Sequence, residues 1–261
     1  MKKTILYTLF LPLLAAFTAC SEGADLDNSP YTDGMGGLSL KNSTSTNITI
    51  PVITKSADFS DIEVDNFYVG ILKADGSVAK EFDTFTGLVD AGLPLVLPHG
   101  DYSVIASSYK LGDIKVSATP YFVDQRNFTI EEKTTTNVDL KCTFKSLGVE
   151  LALSEQFKKM LELKPNNYSY KVTVSNGVAD WEFTPDKMDS GYFIDPCDEL
   201  LIKVTVRLGS GDQWYPERTY RVKNNTNSPK LGEYYIINLD AGEQPQKLSL
   251  KAVSLTDKIE E

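Results

Sequence analysis

Residues 66–82 read NFYVGILKADGSVAKEF, and residues 167–183 read NYSYKVTVSNGVADWEF. In the first stretch Phe67, Val69 and Ile71 alternate onto one face, Asp75-Gly76 supplies a turn, and Val78 to Phe82 returns. A period of two marks a half-buried strand, and an Asx-Gly pair between two such runs marks a tight hairpin. The second stretch repeats this 101 positions later without a gap, setting Ile71 against Val172, Asp75-Gly76 against Asn176-Gly177 and Glu81-Phe82 against Glu182-Phe183. The same offset sets TNVD at 136–139 against INLD at 237–240. Two separated stretches at one offset predict a duplication, and so two tandem domains of one fold. The alternative is that unrelated β-hairpins share this pattern. Two units are too few for a solenoid.

Outward from these hairpins the chain is a series of short β-type runs at roughly ten-residue spacing, which is the rhythm of a sandwich. GLSLK at 37–41 alternates, and ITIPVI at 48–53 carries Pro51, which suits an edge or a bulge. LPLVLPHGDYSVIASS at 93–108 predicts two strands about a Pro-His-Gly-Asp turn, and RNFTIEEKTTTNVDLKC at 126–142 predicts another pair. CTFKSLGVELAL at 142–153 reads as one strand. Ser154 follows as an N-cap, with Phe157, Met160 and Leu161 on one helical face, so a short helix lies across the end of a sheet. A long hairpin is expected from 199–208 and 213–223 about GSGD, then strands at 230–241 and 246–255. The expected fold is all-β: two tandem immunoglobulin/transthyretin-like β-sandwich domains, 37–141 and 142–261, with a short helix in the second.

The N-terminus reads KKTILYTLFLPLLAAFTAC to Cys20. Lys2 and Lys3 precede an apolar run from Ile5 to Phe17, too short and too interrupted by Pro12 for a membrane span of roughly 20 residues. Small Thr18 and Ala19 suit cleavage, which makes 1–19 a signal peptide. A cysteine directly after such a site resembles the lipobox of bacterial lipoproteins, although Phe17 stands where an aliphatic residue is usual. That resemblance implies lipidation of Cys20; an ordinary secretory signal is the other reading. Each buried acyl CH₂ contributes about 0.8 kcal/mol, so two or three chains hold a protein at a membrane without a spanning segment. Residues 20–36 are small, polar and acidic and are expected to be a tether. Glu22, Asp25 and Asp27 resemble the signal that sends Bacteroidota-type lipoproteins to the outer face of the outer membrane, and a plain acidic linker fits them as well.

The 261 residues carry 26 Lys and Arg against 36 Asp and Glu, a net charge of −10. Loss of the leader removes two lysines and no acid, taking the charge to −12. That disfavours nucleic acid, whose binding needs clustered cations. Cys142 and Cys197 remain once Cys20 carries lipid; in an exported chain they either pair or sit as small buried hydrophobes. Their spacing offers no CxxC, and the chain has one histidine, so no metal site and no cofactor are expected. His99 lies in a turn with no nucleophile placed beside it. Asp58, Asp61, Glu63 and Asp65 cluster, without the glycine and ligand spacing of a calcium loop. Trp214 and Tyr215 follow the GSGD turn, where aromatic faces could stack on sugar rings, or else begin a strand and pack inward. Trp181 reads as a core or sheet-face aromatic. No catalytic constellation emerges, so an enzyme is not expected.

Several segments together resemble a lipoprotein family of gut Bacteroidota-type bacteria known as a domain of unknown function. They are GxLxL at 36–40, NFxVxI at 66–71, P-x-GDYxVxA from Pro98 to Ala106, Pro120-Tyr121, T-x-VxLxC from Thr136 to Cys142, and GYF at 191–193. In shape that family is similar to fimbrillin-type proteins, which have two transthyretin-like sandwiches and polymerise or anchor pili. Many relatives sit near glycan-degrading systems. The resemblance implies a lipid-anchored, surface-exposed outer-membrane protein with a non-enzymatic binding role toward a glycan or a surface protein. The alternative it implies is a fimbria-associated subunit that exchanges a β-strand, with 246–255 as the segment to inspect.

Overall fold

The computed structural model describes residues 29–44, 59, 62–162, 169–207, 214–222, 228–241 and 248–254. The signal peptide, Cys20 and the expected strand at 48–53 lie outside these. Among the described residues the chain is all-β with two short α-helices. Its first half supplies β1 (Met35–Thr44), β2 (Tyr68–Lys73), β3 (Val78–Phe82), α1 (Phe85–Asp90), β4 (Leu95–Pro98), β5 (Gly100–Ser107), β6 (Val116–Ser117), β7 (Phe122–Ile130) and β8 (Thr135–Phe144). Seven of these strands form one sheet in the order β3-β2-β5-β7-β8-β1-β4. It folds into two layers at the β7–β8 corner, where the ladder is only Phe122 with Phe144 and Val123 with Thr143. Beyond it β8 runs parallel to β1. Side chains bridge the opening: the Lys141 N–H donates to Asp124 Oδ2 at 2.8 Å and the Thr136 hydroxyl to the Thr129 carbonyl at 2.9 Å. These bonds satisfy backbone groups that the ladder no longer serves.

The second half supplies β9 (Leu147–Leu153), α2 (Glu155–Glu162), β10 (Ser169–Ser175), β11 (Asp180–Phe183), β12 (Gly191–Phe193), β13 (Leu200–Arg207), β14 (Arg218–Val222), β15 (Tyr234–Ala241) and β16 (Leu248–Ser254). Its layers are β11-β10-β13-β14 and β16-β15-β9-β12-β6. The wiring repeats the first half. The β10–β11 hairpin lies beside β13 and then β14, as β2–β3 lies beside β5 and then β7. β9 pairs antiparallel with β12 and parallel with β15, as β1 does with β4 and β8. Even the hairpin turns agree. Gly76 and Gly177 stand at φ +82° and +83°, where a side chain is strained. Before each, an Asx oxygen accepts the N–H two residues on, at 2.9 Å for Asp75 and 3.0 Å for Asn176.

Strand alternation buries Leu38, Val69, Ile71 and Val104 in the first core and Val149, Val172, Ile202 and Ile237 in the second. The two sandwiches are not beads on a string. β6 crosses from the first half to pair with β12, and the Ile194 N–H donates to the Lys115 carbonyl at 3.0 Å. An aromatic cluster of Phe59, Phe122, Phe144, Tyr192 and Tyr234 joins them, with ring centroids 5.1 to 6.5 Å apart in the contacting pairs. Buried Ser146 accepts the Tyr121 N–H through its hydroxyl at 3.1 Å, and its carbonyl accepts the Gly232 N–H at 2.8 Å.

Several local expectations change. The 142–153 run is two strands, because β8 stops at Phe144 and the chain turns through Ser146 into β9. The two strands expected about the Pro-His-Gly-Asp turn are present as β4 and β5, but they do not pair with each other: β4 pairs with β1 and β5 with β2 and β7, so the chain changes layers at His99. α1 was not expected. The Thr84 hydroxyl caps it by accepting the Gly87 N–H at 3.0 Å, and buried Leu88 fixes it to the core. The end of the expected tether is part of the fold. Tyr31 hydrogen-bonds Thr135 at 2.7 Å, Glu132 accepts the Gly34 N–H at 2.8 Å, and Asp33 pairs with Lys133 at 2.9 Å.

Candidate functional site

The outer layer β11-β10-β13-β14 ends at a corner built by Arg207, Trp214 and Tyr215. Trp214 forms an isolated antiparallel bridge with Arg207, and the Tyr215 N–H donates to the Val206 carbonyl at 2.8 Å. That pairing places Arg207 and Trp214 side by side without a ladder bond between them, where cross-strand side chains approach most closely. The guanidinium carbon lies 5.5 Å from the Trp214 ring centroid, a cation–π contact. Trp214 remains 42% exposed and Tyr215 49% exposed. Neither is buried: β14 begins only at Arg218, and before it the described chain touches β13 through this single bridge. Successive residues of an extended chain point to opposite sides, so Trp214 shares the face of Arg207 while Tyr215 turns away. The pair is two separate aromatic surfaces rather than one platform. One indole face meets Arg207, and the ring remains partly exposed.

Trp181 is a different case. It is buried, donates its Nε1–H to the Asp189 carbonyl at 3.0 Å, and carries the Lys187 ammonium 3.8 Å from its ring centroid. Its indole lies across Gly191, where a Cβ would meet ring atoms at 2.4 Å. It is a packing aromatic that holds the 184–190 loop against the second core. His99 is a turn residue whose Nδ1 approaches the Gly34 carbonyl at 3.4 Å. Of the acidic cluster, Asp58 and Asp61 lie outside the described residues. Glu63 accepts a bond from the Asn66 amide at 3.0 Å. Among the described residues no three His, Cys, Asp or Glu side chains converge as a metal site would require.

Cys142 and Cys197 are both free thiols. Cys142 sits in the first core and donates to the Ala106 carbonyl at 3.4 Å, whereas Cys197 packs at the margin of the second core. The two belong to different sandwiches, and this separates them. Burial, with Asp124 nearby, pushes the Cys142 thiol up to about 12; burial, with Asp198 nearby, pushes Cys197 up to about 11. Both are therefore protonated and unreactive at neutral pH.

The chain belongs to the family described as a domain of unknown function, DUF4493, which it matches over residues 34–258. No curated protein matches it. Among solved structures it is similar to a candidate cell adhesion protein of Bacteroides eggerthii, at 10% identity and a TM-score of 0.41, with 87% of this chain and 97% of that one covered. A candidate polysaccharide-binding protein (DUF1812) of Bacteroides thetaiotaomicron is similar at 10% identity and a TM-score of 0.44, with 84% and 97% covered. A candidate adhesin of the same species is similar at 9% identity and a TM-score of 0.39, with 87% and 100% covered.

Proposed function

We propose that the protein is a lipid-anchored protein of the outer-membrane surface, held through Cys20, that binds a glycan without altering it. The observation that carries this reading is Trp214: a large aromatic held 42% exposed by a strand bridge and a cation–π contact rather than buried in either core. An indole face offers a sugar ring an apolar surface. Keeping part of such a ring in water forgoes a fraction of the roughly 1.5–3 kcal/mol that full burial of a large apolar side chain contributes.

The test is retention of the full chain on an array of host and dietary polysaccharides. Saturable binding weakened about tenfold or more in Trp214→Ala, with unchanged thermal unfolding, is the expected result. Equal binding by the variant sinks the assignment to this corner, and no retention on any glycan sinks the reading itself. Strand exchange in a fimbria is the competing reading. β16 pairs with β15 along all seven of its residues, so donation by this segment would first have to break that ladder. A monomer in size-exclusion light scattering at all concentrations is the outcome that fits glycan binding and opposes polymerisation.

A further inference from the structure

The two sandwiches repeat one framework, yet their corresponding outer faces differ in chemistry. On the second, Lys171, Lys203 and Arg221 stand along β10, β13 and β14, each paired with a carboxylate, Glu182, Glu217 and Glu199 respectively. The same face of the first presents three cross-strand rows. They are Leu72 with Ser103 and Asn127, Gly70 with Ile105 and Gln125, and Asp101 with Thr129. One ion pair lies on this face, Lys110 with Glu81 beside Gly70 at 2.7 Å, but none among the described residues spans the Leu72 and Asp101 rows. Instead a groove of about 570 Å³ opens there, walled by the tip of the β2–β3 hairpin. That volume lies within the range of about 300–1,000 Å³ usual for small-ligand sites.

The wall is low because its residues are small. Ala74 and Gly76 form it, and no atom lies within 4 Å of where a Gly76 Cβ would stand. The floor is rigid. Beneath the polar rows Tyr102 and Phe128 stack with centroids 5.8 Å apart at 18°, and the Tyr102 hydroxyl donates to the Pro98 carbonyl at 3.0 Å. Asp101 is pre-oriented by the Thr129 hydroxyl, which donates to its Oδ1 at 2.6 Å, leaving Oδ2 to accept. The side chains of Ser103, Gln125 and Asn127 have no hydrogen-bond partner among the described residues. Each amide carries donors and acceptors together, which is the complement of the adjacent hydroxyls of a sugar. Among the described residues lining the groove, Lys73 is the one cation and Asp101 the one anion. A chain of net charge −10 gives a polyanion no general attraction to this face.

We propose that this groove is a second binding site, separate from the Trp214 corner, and that it takes a neutral glycan chain through Asp101, Gln125 and Asn127. Leu72 supplies the apolar surface for a ring, and the amides read its hydroxyls.

Affinity electrophoresis of the full chain tests it, with starch, mixed-linkage β-glucan and galactomannan as neutral probes and polygalacturonate and chondroitin sulfate as anionic ones. The comparison is among the natural chain, Trp214→Ala, Asp101→Asn, and the double variant Gln125→Ala with Asn127→Ala. The two amides are exposed, so the double variant should keep the natural unfolding midpoint. The expected result is retardation by a neutral probe that falls tenfold or more in the double variant and falls also in Asp101→Asn, while Trp214→Ala keeps a measurable part of it. Natural retardation in both groove variants overturns the proposal, as does retardation by the anionic probes alone or by none. Loss in Trp214→Ala with none in the groove variants overturns the groove and supports the corner. The reverse pattern supports the groove and removes the corner.

Discussion

Gly148 and Gly191 show how a single residue decides a position in this fold. They sit on the paired strands β9 and β12, and each is roofed by an aromatic ring. A Cβ on Gly148 would meet the Tyr234 ring at 2.2 Å, and one on Gly191 the Trp181 ring at 2.4 Å. Neither ring is free to move. Tyr234 shares its hydroxyl with Ser190 at 2.7 Å and donates to Glu150 at 3.0 Å, and Trp181 is tied to Asp189. Burial therefore raises the Tyr234 hydroxyl well above the usual phenol range, and it stays protonated as a donor. Gly148→Ala is expected to destabilise the chain by about 1–3 kcal/mol, the usual scale of overpacking. Urea unfolding would show it as a lower midpoint at an unchanged slope; an unchanged midpoint would mean that the ring has room to retreat. The glycine of GYF was visible in the sequence, but its reason was not, because the ring that requires it lies ten residues away on another strand.

At the scale of elements, α2 was the helix that sequence reading could find. Its cap is where a cap should be: the Phe157 N–H donates to Ser154 Oγ at 3.1 Å. Phe157 is fully buried against Tyr170, with centroids 5.9 Å apart. Ser154→Ala should cost about 1 kcal/mol and Phe157→Ala about 3–5 kcal/mol, both read from chemical denaturation. Equal effects would show that the helix is held by its cap and not by its buried ring. α1 escaped notice because six residues with an internal glycine give no helical period to read. Its one signal was Thr84 standing before a buried leucine. The hairpins were legible because turn chemistry and strand period are both local. Which strand lies beside which was not, as the separation of β4 from β5 shows.

From Tyr31 on, the described residues form two sandwiches that share a seam. Tyr192 belongs to β12 of the second half, yet its side chain packs in the first core, 6.1 Å from the Phe144 ring centroid. With β6 lent in the opposite direction, each half completes the other, so the described fold should melt as one unit. Scanning calorimetry is expected to give a single transition for the natural chain and two for Tyr192→Ala, whose lost ring loosens the seam. Two transitions in the natural chain would show that the halves are energetically independent despite their contact.

The sequence by itself determined the all-β class, the duplicated hairpin with its Asx-Gly turns, the short capped helix and a net negative charge. Each follows from a local period, a turn residue or a count. Only the tertiary structure decided that Trp214 stays in water beside Arg207, that Cys142 and Cys197 lie in separate cores, and that Asp101, Gln125 and Asn127 stand around one groove. Their neighbours come from strands brought together by sheet order, and pairing partners leave no mark in the residues between them. Two copies of one local pattern could announce the repeat, but the seam that joins them and the faces on which they differ arise only from long-range packing.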